Sequence, residues 1–198
     1  MVCKKYYIMR LSKNLTLAEA VRSETAKRRH IDNTPTKEQI DQLKITAEKI
    51  FQPIRDHFNK PIYVTSMFRC EKLNTWVGGA QFSAHRHVDN LGAIDIDNDG
   101  TDVSNKDIFD FIRHNLDFDV LIWEYGTKES PAWIHCSYNS SRKNRKYVFQ
   151  NYFDENNISR TIEYKDVKPK KKEVQRNETR QVPSRKVRSV PKPSRDDS

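Results

Sequence analysis

The sequence has few cysteines, and their arrangement does not indicate disulfides. Three are present in 198 residues, namely Cys3, Cys70 and Cys136. Because the count is odd and the spacing is irregular, a disulfide framework is not expected, and no CxxC pair predicts a thiolate zinc site. We therefore expect reduced thiols, as is usual for a protein made in the cytosol.

Long apolar runs are also missing. The first ten residues are mixed basic and aromatic, without the apolar core and cleavage site of a signal peptide. No apolar stretch approaches the ~20 residues that a membrane-spanning helix needs. We expect synthesis in the cytoplasm without a signal peptide and no membrane span, so action outside the cytoplasm would require another route of release.

Charge is abundant and is concentrated at one end of the chain. The formal net charge is +9, and residues 166–198 carry eleven Lys or Arg against five Asp or Glu. This segment has no aromatic residue, so it cannot bury enough apolar surface to offset the entropy of ordering. We predict a folded domain over 1–165 and a disordered basic tail over 166–198. The tail is a candidate for binding an anionic polymer, but without aromatic residues for base stacking, specific nucleic-acid recognition is not expected.

Helical patterns dominate the first part of the sequence. Thr36 occupies an N-cap position before apolar residues that recur at three- and four-residue steps from Ile40 to Phe58. This pattern predicts a long helix that Pro53 kinks or ends. Shorter helices are expected at three other places: over 16–26, around 73–77 and over 104–116.

Strand patterns dominate the later part. Alternating or β-branched runs predict strands over 62–66, 93–97, 118–125 and 132–138, with 147–153 a last strand or helix and 6–9 an edge strand or extended arm. Helices come mostly first, and the connections between strands are short. The order favours an α+β domain in which helices pack on a mainly antiparallel sheet.

Two histidines precede an aspartate in the segment 83–97. His85 and His87 lie ahead of Asp95, and His135 lies in the middle of the strand 132–138. Imidazole and carboxylate are ligands of catalytic zinc sites, which keep one position open for water. The same residues can instead form a structural hydrogen-bond network within a sheet. The other histidines fall in or near helices and are interpreted as structural: His30, His57 and His114.

Six segments match, in order, the motifs of one known family. They are LTLAEAVRSETAKRRHIDNTP, IFQPIRDHFNKPIYVTS, TSMFRCEKLNTWVGGAQFSAH, GAIDID, FDVLIWEYG and SPAWIHCSYN, the last with an Asn-Arg pair at 144–145 nearby. Together they resemble the zinc D-Ala-D-Ala carboxypeptidase family over about residues 14–150, and more narrowly its phage-associated members with the Hedgehog-type fold. The resemblance implies a zinc-dependent peptidase that hydrolyses amide bonds of bacterial peptidoglycan peptides, as a carboxypeptidase or an endopeptidase.

The resemblance also implies a ligand set. A Ser-x-His-x-x-Gly-x-Ala-x-Asp motif and a Trp-[Ile/Val]-His-x-Ser strand supply the zinc ligands of the family. The matching residues here imply Zn²⁺ held by His85, Asp95 and His135, with Ser83 beside the metal or contacting the substrate. The spacing from His85 to Asp95 is ten instead of seven, so His87 is an alternative ligand. The Ser-x-His match favours His85.

Two further roles follow from the resemblance. Arg69 matches the family's arginine, which implies that it holds the substrate's carbonyl or carboxylate and stabilises charge in the transition state. A carboxylate or imidazole must also take and return a proton. Some members use a glutamate three residues before the last histidine, but that position is Ala132. We favour Glu124, on the strand expected to pair with the His135 strand, as the general base, with Glu129 in the next loop as the alternative.

Two other functions are compatible with the sequence. The inserted residues at 86–91 and Ala132 motivate a catalytically inactive module that keeps the fold and binds the cell wall or serves in a virion. The basic tail motivates an adaptor that docks on an anionic partner. For the peptidase, we expect a monomer that acts at the bacterial cell wall and is encoded by a phage or prophage. The bond that it cuts is left open among D-Ala-D-Ala, L-Ala-D-Glu and cross-bridge bonds.

Overall fold

The computed structural model describes residues 9–165. The predictions for residues 6–8 and for a disordered tail over 166–198 lie outside these residues and stay predictions. None of the helices in the described part of the chain is both long and apolar enough to span a membrane. The chain begins with a small hairpin, β1 (Arg10–Ser12) and β2 (Leu15–Thr16), which leads into the short helix α1 (Leu17–Ala20).

The segment predicted as one helix over 16–26 forms two helices. Thr16 starts α1 with a capping box, as expected, but α1 ends at Ala20. Ser23 then caps a second helix, α2 (Glu24–Arg29), by accepting a hydrogen bond from the Ala26 N–H. A serine that can bond to nearby backbone favours a new cap over a helix interior, which explains the break.

A continuous helix of 22 residues packs against the sheet. It consists of α3 (Lys37–Thr46), a π-helical turn (Ala47–Phe51) and α4 (Gln52–Phe58). Thr36 is the N-cap, as the sequence predicted, and it forms a reciprocal capping box with Gln39. Pro53 does not end the helix, because the wider turn that precedes it accommodates the missing N–H of the proline.

The main sheet has six strands in the order β3-β4-β6-β5-β7-β8. All neighbours are antiparallel except β5 and β7, which are parallel. This architecture confirms the predicted α+β class. The strands are β3 (Val64–Ser66), β4 (Leu91–Ile96), β5 (Val120–Glu124), β6 (Trp133–Asn139), β7 (Tyr147–Phe153) and β8 (Ser159–Glu163), and the remaining helices are α5 (Glu71–Trp76) and α6 (Asn105–Asn115).

The two faces of the sheet have different roles. Side chains alternate between faces along a strand, so residues one position apart point in opposite directions. Ile94, Ile134 and Trp123 belong to the hydrophobic core that also contains residues of α3, α4 and α6. Their chain neighbours Asp95 and His135 therefore lie on the opposite face. That face carries the polar side chains of Asp95 and His135.

Asp119, the residue before β5, links the sheet to the loop before β7 through two arginines. Its buried carboxylate accepts hydrogen bonds from Arg142 Nη1 (2.7 Å) and Arg145 Nη2 (2.6 Å). Burial raises the pKa of Asp119, but the hydrogen bonds from Arg145 and Arg142 outweigh burial and hold the pKa below its usual value. A carboxylate with a lowered pKa in the folded state stabilises the protein above the unfolded pKa of about 4, and this stabilisation is lost as the pH falls.

We expect Asp119→Asn to lower the free energy of unfolding by about 1–3 kcal/mol at pH 7, since both arginines are partly exposed to solvent. The difference from the wild type should shrink as the pH falls from 5 to 2. Urea denaturation at several pH values measures it, and Asp41→Asn, at an exposed ion pair with Lys44, is the control with an expected change below about 0.5 kcal/mol. A penalty for Asp119→Asn that is independent of pH would contradict this account.

Candidate metal centre

Three side chains that the sequence singled out converge on the sheet face opposite the one that carries Ile94, Ile134 and Trp123. Asp95 Oδ1 lies 3.1 Å from His85 Nε2 and 2.8 Å from His135 Nδ1, and the two histidine nitrogens are 3.2 Å apart. Their ligand atoms all lie within 4.8 Å of one another. The cluster can therefore hold a metal ion.

The sheet register positions two members of this cluster. Asp95 on β4 is directly opposite His135 on β6, so their side chains leave the same face at neighbouring positions. His85 approaches from a short 3₁₀ turn (Ala84–Arg86) that precedes β4. Ser83 Oγ accepts a hydrogen bond from the His85 N–H (3.3 Å), so the observed contact of Ser83 is to the turn that carries His85. A contact of Ser83 with substrate stays a prediction.

The orientation of the His85 ring is fixed by the backbone of Met67. His85 Nδ1 lies 2.9 Å from Met67 O, a carbonyl that can only accept, so Nδ1 carries the proton. In the neutral ring the Nε2 lone pair then faces Asp95 Oδ1, itself an acceptor. Two acceptor atoms 3.1 Å apart need a proton or a cation between them. Two imidazole nitrogens and one carboxylate oxygen form a donor set that suits zinc.

Electrostatics favours the protonation states that metal binding requires. Burial lowers the pKa of His85, which favours the neutral imidazole, although the nearby Asp95 carboxylate opposes this effect. For Asp95, burial raises the pKa, but His85 and His135 outweigh burial and hold the pKa well below its usual value. A neutral imidazole and an ionised carboxylate are the ligand forms of these residues.

The structure separates His85 from His87. His87 is buried, its Nε2 lies 3.0 Å from Ala93 O, and burial lowers its pKa to about 3, so it is a neutral core residue. The chain turns it inward through left-handed conformations at His87, Asp89 and Asn90, which lie in the inserted segment. A Cβ at Gly92 would lie 2.6 Å from His87 Nδ1, so the glycine makes room for this ring. It is His85 that reaches Asp95 and His135.

Arg69 contacts two of the three residues of the cluster. Its Nη2 donates to Asp95 Oδ2 (2.9 Å), the carboxylate oxygen not used in the histidine contacts above, and its Nε donates to Ser66 Oγ (2.9 Å). The Arg69 N–H donates to His85 O (2.9 Å). Arg69 is therefore tied through side chain and backbone to two of the three candidate ligands, and its role toward a substrate stays a prediction.

Asn33 supports the Arg69 segment, a role that sequence reasoning missed. Its Nδ2 donates to Val21 O (2.9 Å) and Phe68 O (3.1 Å), and its Oδ1 accepts from the Cys70 N–H (2.8 Å). The carboxamide thus holds the backbone on both sides of Arg69. The only signal in the sequence was the IDNTP segment, which carried part of the family resemblance without an assigned role.

Glu124 lies on the same sheet face as His135. It is directly opposite Trp133 on β6, and Ala132 donates its N–H to Glu124 O (2.9 Å). Glu124 is thus a cross-strand neighbour of the position where some family members carry a glutamate. Burial raises the pKa of Glu124, and this effect outweighs the opposing hydrogen bond from Asn151 Nδ2 (2.7 Å). A raised carboxyl pKa suits a group that both accepts and returns a proton near neutral pH.

Glu129, the alternative base, occupies a different environment. It is exposed in the loop between β5 and β6, where its backbone N–H donates to Thr127 Oγ1 (3.1 Å). Within residues 9–165 its carboxylate has no hydrogen bond or ion pair with the cluster. Of the two candidates, Glu124 is therefore the one that the fold places on the face of the cluster.

The sheet face thus combines a His-Asp-His cluster that can hold a metal ion with an arginine that contacts its carboxylate. A half-buried glutamate lies on the next strand. Such a group of residues is a candidate metal-dependent active site. A sequence profile of the Peptidase M15 family matches residues 13–137, more than half of the chain. The chain therefore belongs to the M15 family of metallopeptidases, and the predicted family resemblance is confirmed. A search of curated proteins found no match.

Proposed function

We propose that this M15 family member is a zinc-dependent peptidase that hydrolyses amide bonds of bacterial peptidoglycan peptides. The observation that carries the proposal is the convergence of His85, Asp95 and His135 on one face of the sheet, in a chain of a metallopeptidase family. The peptidoglycan substrate and a setting in phage lysis rest on the motif resemblance. The same resemblance supports action at the cell wall.

A zinc ion held by His85 Nε2, His135 Nδ1 and the Asp95 carboxylate would activate water and polarise the scissile carbonyl. Met67 O accepts a hydrogen bond from the Nδ1–H of His85, so the lone pair on His85 Nε2 faces this position. Arg69 holds the far oxygen of Asp95, which fixes the orientation of the carboxylate. These contacts pre-organise the donor atoms, so little rearrangement is needed on binding.

Glu124 is the general base in this proposal. It takes a proton from the attacking water and returns it to the leaving amine. A carboxyl pKa that is raised toward the working pH makes both transfers more efficient. Arg69, beside the cluster, stabilises negative charge on the substrate oxygen during the reaction. The alternative of an inactive module was motivated by Ala132, at the position where some family members carry a glutamate. Glu124 lies next to Ala132 on the neighbouring strand and can supply the missing carboxylate. We therefore favour a catalytic protein over an inactive module.

Substitution of Asn151 tests how kcat/KM depends on pH. Its hydrogen bond lowers the pKa of Glu124, so Asn151→Ala should raise this pKa. Because the base works only when ionised, the acidic limb of the kcat/KM profile should move to higher pH by roughly half to one unit. The rate on the alkaline side should change little. An acidic limb that stays in place or moves to lower pH would contradict the role of Glu124.

Substitution of Asn33 tests whether the position of the Arg69 backbone matters for catalysis. Asn33→Ala removes three hydrogen bonds that hold the backbone beside Arg69, and we expect kcat to fall by about tenfold to a hundredfold with a loss of about 2–3 kcal/mol of stability. Asn33→Asp keeps the acceptor for Cys70 but loses both donations, so it should recover only part of the rate. Steady-state kinetics and thermal melting measure both. Stability loss without any change in kcat would make Asn33 a purely structural residue.

Hydrolysis of purified peptidoglycan tests the proposal directly. Zinc-loaded protein should release new amino and carboxyl termini, identified by mass spectrometry, and treatment with a chelator should stop their release. The identity of the new termini also defines the bond that is cut. A protein that binds zinc at the cluster and yet releases no termini from peptidoglycan of several cross-link types would contradict the proposal.

A further inference from the structure

A cleft of about 610 Å³ opens beside Arg69. One wall comes from the break between α1 and α2, with Arg22 and Glu24. A second wall comes from the end of β3 and the segment after it, with Ser66 and Arg69. The third is formed by Leu73 and Val77 at α5. Residues of three separate segments thus line a space next to Arg69.

The cleft is linked to the cluster by direct contacts. Ser66 is paired with Asp95 in the β3–β4 register, and its Oγ accepts a hydrogen bond from Arg69 Nε. Arg69 in turn donates to Asp95 Oδ2. Ser66 and Arg69 thus connect the lining of the cleft directly to Asp95 of the cluster.

Arg22 supplies a second guanidinium to the same cleft. Its Nη2 lies 3.4 Å from Val64 O, on the edge strand β3, so the side chain lies along this edge. That single long hydrogen bond leaves most of its donors for another partner. Arg69, by contrast, already uses Nε and Nη2 on Ser66 and Asp95. Arg22 is the cation of the cleft with the greater capacity to bind a carboxylate.

We propose that this cleft binds a carboxylate of the substrate next to the scissile bond, and that Arg22 is a specificity-determining residue. The inference rests on the proposed peptidase function and narrows its substrates to peptides with a free carboxylate in the residue that enters the cleft. Val77, which is exposed, provides apolar contact for a small side chain beside that carboxylate. Glu24 opposes the carboxylate, so its charge weakens the selectivity that Arg22 creates.

Peptidoglycan peptides offer this chemistry at two places, the C-terminal carboxylate and the free α-carboxylate of γ-linked D-glutamate. A set of three pentapeptides, L-Ala-γ-D-Glu-L-Lys-D-Ala-D-Ala, its C-terminal amide and its D-isoglutamine form, distinguishes them. For zinc-loaded wild type, we expect amidation at one of the two positions to raise KM by about tenfold, the effect of losing one charge-assisted hydrogen bond, with a smaller change in kcat. Amidation at the other position should change KM little.

Variants of the two cleft charges then test Arg22 itself. Arg22→Ala should raise KM for the preferred acid by about tenfold and leave KM for the matching amide unchanged, while Arg22→Lys should recover part of the loss. Glu24→Gln should change KM for the acid in the opposite direction. Arg28→Ala, an exposed residue of α2 outside the cleft lining, is the control for overall charge. Thermal melting verifies that each variant is folded.

Two outcomes would overturn the inference: a wild type that does not distinguish the acids from the amides, or an Arg22→Ala variant that raises KM for acid and amide alike. Calorimetric titration of the same peptides separates this inference from the proposed function. If the peptides bind in an Arg22-dependent, carboxylate-dependent manner but no bond is cut, the peptidase proposal fails and the carboxylate subsite stands. If peptides are cut without any dependence on Arg22, the subsite fails and the peptidase proposal stands.

Discussion

Asp95→Asn is expected to weaken zinc binding by about a hundredfold or more and to reduce peptidoglycan hydrolysis by at least about a thousandfold. Substitutions of residues that only support metal ligands already cost about 10–100-fold in affinity, and Asp95 contributes the only charged ligand atom of the cluster. Asparagine keeps the size of the side chain but removes the charge and one acceptor oxygen. The hydrogen bond from Arg69 and the contact with His135 are therefore both altered.

Asp99→Asn is the matched control, because Asp99 follows the same strand but is exposed and lies outside the cluster. Calorimetric titration with zinc and release of peptidoglycan termini should show wild-type behaviour for this variant. If Asp95→Asn bound zinc with the affinity of the wild type, Asp95 would not be a ligand, and the site would have to be sought elsewhere.

Glu124→Gln is expected to reduce kcat by about a hundredfold to ten-thousandfold while zinc affinity stays close to that of the wild type. Glutamine fills the same volume and can keep a hydrogen bond with Asn151, but it cannot accept the proton of the attacking water. The separation of effects is diagnostic, since a metal ligand would change affinity and rate together. Glu129→Gln in the exposed loop should leave kcat within about twofold. If Glu129→Gln lost activity and Glu124→Gln kept it, Glu129 would be the general base in place of Glu124.

The elements around the cluster were predictable because their residues carry strong local signals. The β-branched and aromatic runs at 118–125 and 132–138 predicted two paired strands, and their register places Glu124 opposite Trp133. The Thr36 cap and the apolar stripe after it predicted the long helix. In both cases a periodic pattern and burial on one face coincide, so local sequence and tertiary structure favour the same element.

Other parts of the fold could not be predicted from local patterns. Every residue of β8 is exposed, so it has no alternation of buried and exposed side chains to detect. The strand forms because β7 offers a free edge, which is a tertiary property. The break at Ser23 likewise depends on a cap that competes with continuation of the helix, and both outcomes are compatible with the capping box at Thr16.

Local sequence patterns also did not determine which residues take part in the candidate site. Spacing alone did not separate His85 from His87, because both precede Asp95 by a short loop. The distinction depends on the left-handed turn at His87 and on the space above Gly92, which direct one ring to the core and leave the other at the sheet face. Asn33 binds backbone groups between 12 and 37 residues away, and no spacing rule identifies such contacts.

The most direct test of the central claim is anomalous diffraction at the zinc absorption edge from crystals of the zinc-loaded protein. We predict one strong peak bonded to His85 Nε2, His135 Nδ1 and the Asp95 carboxylate at about 2.0–2.2 Å, with His87 buried against Ala93 and not bonded to the metal. A peak bonded to His87, or no peak at this cluster in a protein that contains zinc, would contradict the account.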